Sequence, residues 1–284
     1  MSARRMMNIQ LIQIPYDSGH KNMRTGQGPD HFLRHKLDDI LRAQGHIVSS
    51  QHIEAKTSFL TEVGTAFELN RLLAERVKIA KDKRSFPIVL AGNCNSCLGT
   101  IAGINEDRLG VVWFDAHGDF NTPETTRSGF LDGMALAMAA GRCWKPLLGT
   151  IPGFHAVAEE HIVHMGARDL DPAEEELMKQ SALELVPSVK NIHEVIDSVF
   201  ERLSTGMKQI YVHVDMDVLD TGDALPNHLA VPGGFSVDVM EDIIEMLKER
   251  FEVCAGAITS FDPDYDKEDK VLEAGIRIIQ ALAA

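Results

Sequence analysis

This sequence predicts a three-layer α/β/α fold with a central, largely parallel sheet. Two observations carry that expectation. Apolar, β-branched runs of strand length alternate with segments of helical period along the whole chain, and repeated βα alternation builds a parallel sheet covered by helices on both faces. The run Val111, Val112, Trp113 and Phe114 is continuously apolar, as a strand buried on both faces should be. No internal repeat, low-complexity tract or linker marks a boundary, so residues 1–284 are expected to form one domain.

In order, residues 7–14 read as a strand. The turn-rich PYDSGHKNMRTGQGPD then leads through Pro29 and Asp30 into a helix expected to reach about residue 44. A short strand is expected at 47–53. A helix follows at about 65–83, with Phe67, Leu69, Leu72, Leu73, Val77 and Ile79 at near-helical spacing. Residues 86–90 form a strand that Ala91-Gly92 releases into a helix at 95–104. After the strand at 110–114, FLDGMALAMAAG is small, apolar and helical, and 161–166 is a strand ending in GARDLDP. Helices at 172–179 and 191–204 flank a weak strand near 183–186. A strand from residue 209, a helix capped by Ser236 and running to about 250, a strand at 253–261 and a helix at 268–282 complete the chain.

Composition narrows the function. The 284 residues are 44% hydrophobic and 25% charged, ordinary for a globular protein, and 28 Lys plus Arg against 42 Asp plus Glu give a net charge of −14. Such a surface argues against nucleic acid or an anionic membrane as partner and suits a cationic small molecule. The start, MSARRMMNIQLIQIP, lacks the apolar core of a signal peptide, and no run is long enough to span a membrane, so a cytoplasmic protein is expected. Cys94, Cys97, Cys143 and Cys254 are too few and scattered for a disulfide framework. One CNSC pair without a second is a weak zinc signature, and small buried residues at a strand-to-helix turn are the favoured reading.

The chemistry concentrates at two strand ends. In GVVWFDAHGDFNTPETT the apolar run is followed by Asp115, His117 and Asp119 at alternate positions, so an extended chain would turn all three side chains to one side. In QIYVHVDMDVLD a second β-rich run ends in Asp215 and Asp217 with the same spacing. Either motif alone could be a polar turn. Burying either carboxylate pair without a cation would force protonation or cost several kcal/mol, so two strand ends that do the same are best explained by a shared metal site.

DAHGDFNTPETT, SGFLDGM, GARDLDP and HVDMDVLD…PGGFS, in that order, resemble the arginase/agmatinase ureohydrolase family over residues 92–263. The resemblance implies hydrolysis of a guanidino or amidino C–N bond by a hydroxide bridging two Mn²⁺ ions, and a homo-oligomer, trimer or hexamer. It makes Asp115 the catalytic centre and, with Asp215, a ligand of both ions. His117 and Asp217 complete one ion's shell and Asp119 the other's. Hard carboxylate oxygens with few imidazoles agree with Mn²⁺. Asn95, in GNCNS, stands where the family has its first ligand, a histidine; an amide oxygen is the weaker donor, and Cys94 is a substitute that would draw the site toward zinc. Asp132 stands where the family has a proton-shuttle histidine and could relay protons only with a raised pKa.

At the substrate end, Asn121, Ser128 and Asp171 match positions that recognise an α-amino acid in arginases; turn formation is the lesser alternative for Asn121 and Ser128. Ser260 and Leu229 stand where arginases grip the guanidinium with an acidic residue and its supporting threonine. NTPETT with neither histidine resembles the branch that hydrolyses N-omega-hydroxy-L-arginine, whose less basic guanidine needs a paired carboxylate less. Arginase, agmatinase or formimidoylglutamase activity is the alternative within the family. A single-zinc deacylase and a catalytically silent relative are the alternatives outside it; Asp119 and Asp217 together argue against the former, while Asn95, Asp132 and Ser260 are the argument for the latter.

Overall fold

A computed structural model of the chain describes residues 6–57, 61–188, 192–204, 206–222 and 224–284. Its elements are β1 (Asn8–Ile14), β2 (Tyr16–Asp17), β3 (His20–Lys21), α1 (Gly28–Arg34), α2 (Leu37–Ala43), β4 (Ile47–His52), α3 (Glu62–Asp82), β5 (Phe86–Ala91), α4 (Cys97–Ile104), β6 (Leu109–Phe114) and α5 (Ala135–Ala139). There follow α6 (Lys145–Leu148), β7 (Ile162–Met165), α7 (Pro172–Gln180), β8 (Glu184–Val186), α8 (Ile192–Ser204), β9 (Gln209–Asp215), α9 (Val237–Arg250), β10 (Glu252–Thr259) and α10 (Lys270–Ala283). Eight strands form one sheet in the order β4-β1-β5-β10-β9-β6-β7-β8, and every pairing in it is parallel. β2 and β3 form a small antiparallel ladder that residue patterning did not announce.

The strands are apolar on both faces because both faces are covered. Ile88, Leu90, Val112 and Phe114 pack with residues of α1, α2, α8, α9 and α10 on one side. Val89, Ala91, Val111 and Trp113 pack with residues of α3, α4 and α5 on the other. This is the expected three-layer arrangement. At about 25 cal/mol per Å² of apolar surface, these two continuous cores are the main term holding the layers together.

Local departures have local causes. The single helix expected at 29–44 is two, because Lys36 takes a left-handed conformation (φ 62°) that ends one ladder and lets the next bury Leu37 and Leu41 completely. The helix expected from residue 95 begins with a 3₁₀ turn, Cys94–Ser96, and the small-residue segment yields only the 3₁₀ turn Asp132–Met134 and α5. Ile79 lies on the outer side of α3, 40% exposed. The last strand stops at Thr259 because Ser260 adopts φ 62°. Arg4, Arg5 and the helix start expected at Asn191 lie outside the described residues. Among the described residues no helix is long and apolar enough to cross a membrane.

Candidate metal centre and substrate cleft

The four central strands end side by side, and each delivers a polar residue to the same edge. Cys94 follows β5, Ser260 follows β10, Asp215 closes β9 and Asp115 follows β6. Asp115 is held on both oxygens: the Trp113 indole donates to Oδ2 (3.0 Å) and the His117 amide to Oδ1 (2.7 Å). Trp113 is itself fixed by stacking on His213, ring centroids 3.7 Å apart. Asp215 accepts from the Asp217 amide on Oδ1 (2.9 Å) and from Cys94 Sγ (2.9 Å) and Ser260 Oγ (2.5 Å) on Oδ2. Asp217 accepts from the Ala116 amide (3.1 Å) and lies 3.2 Å from His117 Nδ1.

Two donor groups result. One atom each of Cys94, Asp115 and Asp119 lie within 4.8 Å of one another, and so do one atom each of Asp115, His117 and Asp217. Asp115 belongs to both. Burial and mutual repulsion dominate the electrostatics. Burial, then the neighbouring charge of Asp217, lifts the pKa of Asp115 to about 6. Asp119 and Asp215 are raised well above the carboxylate range, by burial first and then by Asp115 or Asp217. Burial disfavours the charged forms of His117 and Asp217 too, yet each outweighs that for the other: His117 is pushed up to about 12, and Asp217 is held below its ordinary value. Burial and then the charges of Asp215, Asp119, Asp132 and Asp115 push the Cys94 thiol up. Asp119 Oδ2 is buried with no hydrogen-bond partner among the described residues. A pocket that crowds more carboxylates than the one His117 cation can balance, and orphans one of their oxygens, is short of positive charge, and a divalent cation in each donor group fits that deficit.

Asn95, expected as a ligand, is tied to Asp132: its amide N–H and its Nδ2 both donate to Asp132 Oδ1 (2.7 and 3.0 Å). The same 3₁₀ turn sets Cys94 Sγ against Asp215. Asp132 also accepts on Oδ2 from the Cys94 amide (3.0 Å) and Asn93 Nδ2 (2.9 Å), so it clamps this turn. Burial outweighs these donors and lifts its pKa to about 7, meeting the condition set for a proton relay.

A cleft of about 510 Å³ opens over the centre, a volume ordinary for a small-molecule site. Asn121, Ser128, Asp171, Leu229 and Ser260 all line it. The Asn121 carboxamide oxygen accepts from Thr125 (2.9 Å) and Ser128 Oγ from the Phe130 amide (3.2 Å), so both also shape turns. Asp171 starts α7 in a capping box with Glu174 and lies 3.7 Å from Arg127.

Two supporting residues escaped the sequence reading. The Arg168 guanidinium donates to the carbonyls of Gly166, Asp217, Leu219, Val231 and Pro232, bracing the loop that carries Asp217. Glu174 accepts from the Phe120 amide (2.8 Å), fixing the chain just past Asp119. Arg168 lay in a quoted motif, GARDLDP, and its position between carboxylate motifs was the one signal available.

A parallel sheet that gathers buried carboxylates, an imidazole and a thiol beneath a small-molecule cleft is the arrangement of an α/β enzyme with a candidate cation centre. Residues 7–284 match the profile of the arginase family. The chain is 28% identical to an arginase of Bacillus subtilis (strain 168), over 96% of this chain and 97% of that one, and 29% identical to an arginase of Brevibacillus brevis, over 97% of each. A crystal structure of the Bacillus subtilis arginase superposes with a TM-score of 0.89 over 98% of both chains, at 28% identity. The chain belongs to the arginase family and is a hydrolase of amidino C–N bonds.

Proposed function

We propose that this enzyme hydrolyses the amidino C–N bond of an arginine-like α-amino acid, with N-omega-hydroxy-L-arginine its preferred substrate, and that two Mn²⁺ ions complete its centre. The observation that carries the two-ion reading is the membership of Asp115 in both donor groups. Cys94, Asp115 and Asp119 would hold one ion and Asp115, His117 and Asp217 the other, with Asp215 between them beside Cys94. Such a pair lowers the pKa of a shared water from about 16 toward 7 and so supplies hydroxide at neutral pH.

The chain's own residues then divide the remaining work. Asn121, Ser128 and Asp171, at the cleft wall, take the α-amino acid end of the substrate. Asp132 lines the same cleft and, with a pKa of about 7, can hold or release a proton for the departing amine. Ser260 is committed to Asp215, so the substrate's amidino group meets a neutral hydroxyl here instead of a carboxylate. Losing a charge-assisted hydrogen bond costs on the order of 1.5–3 kcal/mol, roughly ten- to hundredfold for a fully charged guanidinium, and less for a hydroxyguanidine of lower basicity.

The test compares kcat/KM for N-omega-hydroxy-L-arginine, L-arginine, agmatine and formimidoylglutamate at one Mn²⁺ concentration. Hydroxyarginine should lead and agmatine, which lacks the carboxylate, should be poor. Agmatine in first place would refute the roles given to Asn121 and Ser128; arginine in first place would refute the argument from Ser260.

A further inference from the structure

Beside Phe261, just past the end of β10, three side chains with metal-ligand chemistry that do not belong to the carboxylate centre meet. His31 and His35 stand four residues apart at the end of α1, on one face, with ring centroids 4.2 Å apart. Asp269 precedes α10, and its carboxylate caps no amide of that helix. One nitrogen of each ring and one carboxylate oxygen lie within 4.8 Å of one another. The geometry already settles which His35 nitrogen is available. Nδ1 lies 2.9 Å from the His31 carbonyl oxygen, which can only accept, so Nδ1 carries the proton and Nε2 keeps its lone pair. The His31 ring stands edge-on to Phe261, centroids 5.6 Å apart, which limits its rotation. Burial, followed by the proximity of His35 and Arg34, lowers the His31 pKa, which favours the neutral ring, the form that binds a metal.

We propose that His31, His35 and Asp269 form a second, peripheral metal site, for a borderline divalent cation of which Zn²⁺ is the foremost. Two imidazoles and one carboxylate are a recurrent three-ligand zinc set, with water completing the tetrahedron. The same set has no selectivity for Mn²⁺, so the two sites differ in the metal they prefer. Bonds of about 2.0 Å in a tetrahedron place donors about 3.3 Å apart, so the three need close by at most about 1.5 Å. His35 and Asp269 are both exposed side chains and can make that adjustment. A bound ion would tie the end of α1 to the start of α10 across Phe261, the residue that follows Ser260.

The experiment uses the full chain saturated with Mn²⁺, equilibrated with Zn²⁺, and counts both metals per chain by mass spectrometry. Wild type is expected to take up about one Zn²⁺ per chain beyond any that replaces Mn²⁺ at the Cys94 side of the centre, and to gain thermal stability in doing so. Zinc affinity should fall at least tenfold in His35→Ala and in Asp269→Asn, and the zinc-dependent rise in Tm should vanish. Both variants remove exposed side chains, and their Tm without zinc reports whether they fold. No zinc uptake beyond the manganese lost, or an excess uptake unchanged in both variants, would each overturn the proposal.

Discussion

Cys94 carries the residue-scale consequence. Its thiol is buried among carboxylates, is raised well above its ordinary pKa, and donates to Asp215, so a cation can bind it only by displacing a proton. Metal binding on that side is therefore proton-linked, weakening up to about tenfold per pH unit lost for one proton displaced. The His117 ring, pushed up to about 12, adds a second displaced proton on the other side. Mn²⁺ titrations between pH 6.5 and 8.5 should show affinity rising with pH, and Cys94→Ser should shallow that dependence by about one proton. An unchanged slope would remove Cys94 from the ligand set. Asp215→Ala should abolish turnover, since it leaves Cys94 and Ser260 without their shared acceptor as well as removing a carboxylate. Asp132→Asn keeps one acceptor oxygen but turns its NH₂ toward two of the turn's four donors, so some metal loss is expected and kcat is compared at full metal loading. At that loading it should lose about 10²-fold in kcat, the contribution expected of one positioned acid–base group.

At the scale of elements, the turn after β5 sets the position of Cys94, and its glycine is there for space. A Cβ at Gly92 would come within 2.2 Å of the Tyr16 carbonyl oxygen and 2.8 Å of Gly26 backbone atoms, none of which can swing aside. Gly92→Ala is therefore expected to destabilise the fold by about 1–3 kcal/mol and to lower metal content with it, as thermal melts and metal counts would reveal. This turn also marks the limit of what sequence could tell. Asp115, His117, Asp119, Asp215 and Asp217 were legible from their repeated spacing at two strand ends. The chain there is not extended as that spacing implied: Asp217 sits in the 3₁₀ turn Met216–Val218 and Asp119 has φ 48°. It is these bends that gather the side chains. Cys94 and Asn95 are adjacent in a 3₁₀ turn, where one step of rotation decides which faces the carboxylates. That step is set by the four hydrogen bonds from Asn93, Cys94 and Asn95 to Asp132, some 38 residues away. Likewise the break at Lys36 is a backbone choice made by the packing of Leu37 and Leu41, and nothing local to the sequence demands it.

The whole molecule should register the same charge crowding in its stability. Asp115 and Asp132 have ordinary values of 3.8 and rise to about 6 and about 7 in the folded chain, so folding favours their protonated forms. Their contribution is present in full below about pH 4 and is lost as pH rises through 6 to 7. The raised His117 works in the same direction above pH 6.5, while the buried His164 and His213, lowered to about 3, work against it below pH 6.5. The metal-free chain should therefore melt at lower temperature at pH 8.5 than at pH 6.5, and bound Mn²⁺ should reverse that order by stabilising the ionised carboxylates. A metal-free Tm that rises from pH 6.5 to pH 8.5 would contradict it. Here the sequence was a good guide: strand patterning foretold the parallel layers, since two covered faces demand continuous apolar runs. It did not foretell the strand order, which depends on pairings between distant segments.

That order has a consequence for how the chain is made. β10 is the last strand to leave the ribosome, yet its place is in the middle of the sheet, between β5 and β9. Until it arrives, β5 and β9 both end in open backbone edges, and the apolar rows meant for its neighbours are uncovered. Ile88 waits for Gly256, a partner 168 positions further along, so the loop-closure cost is met late in synthesis. A nascent chain stalled before residue 252 therefore presents two adhesive borders and no enzyme, a substrate for holdase chaperones. The same chain released with β10 closes both borders in one insertion. Ribosome-stalled chains ending before and after residues 252–259 should differ sharply in chaperone binding and in protease resistance.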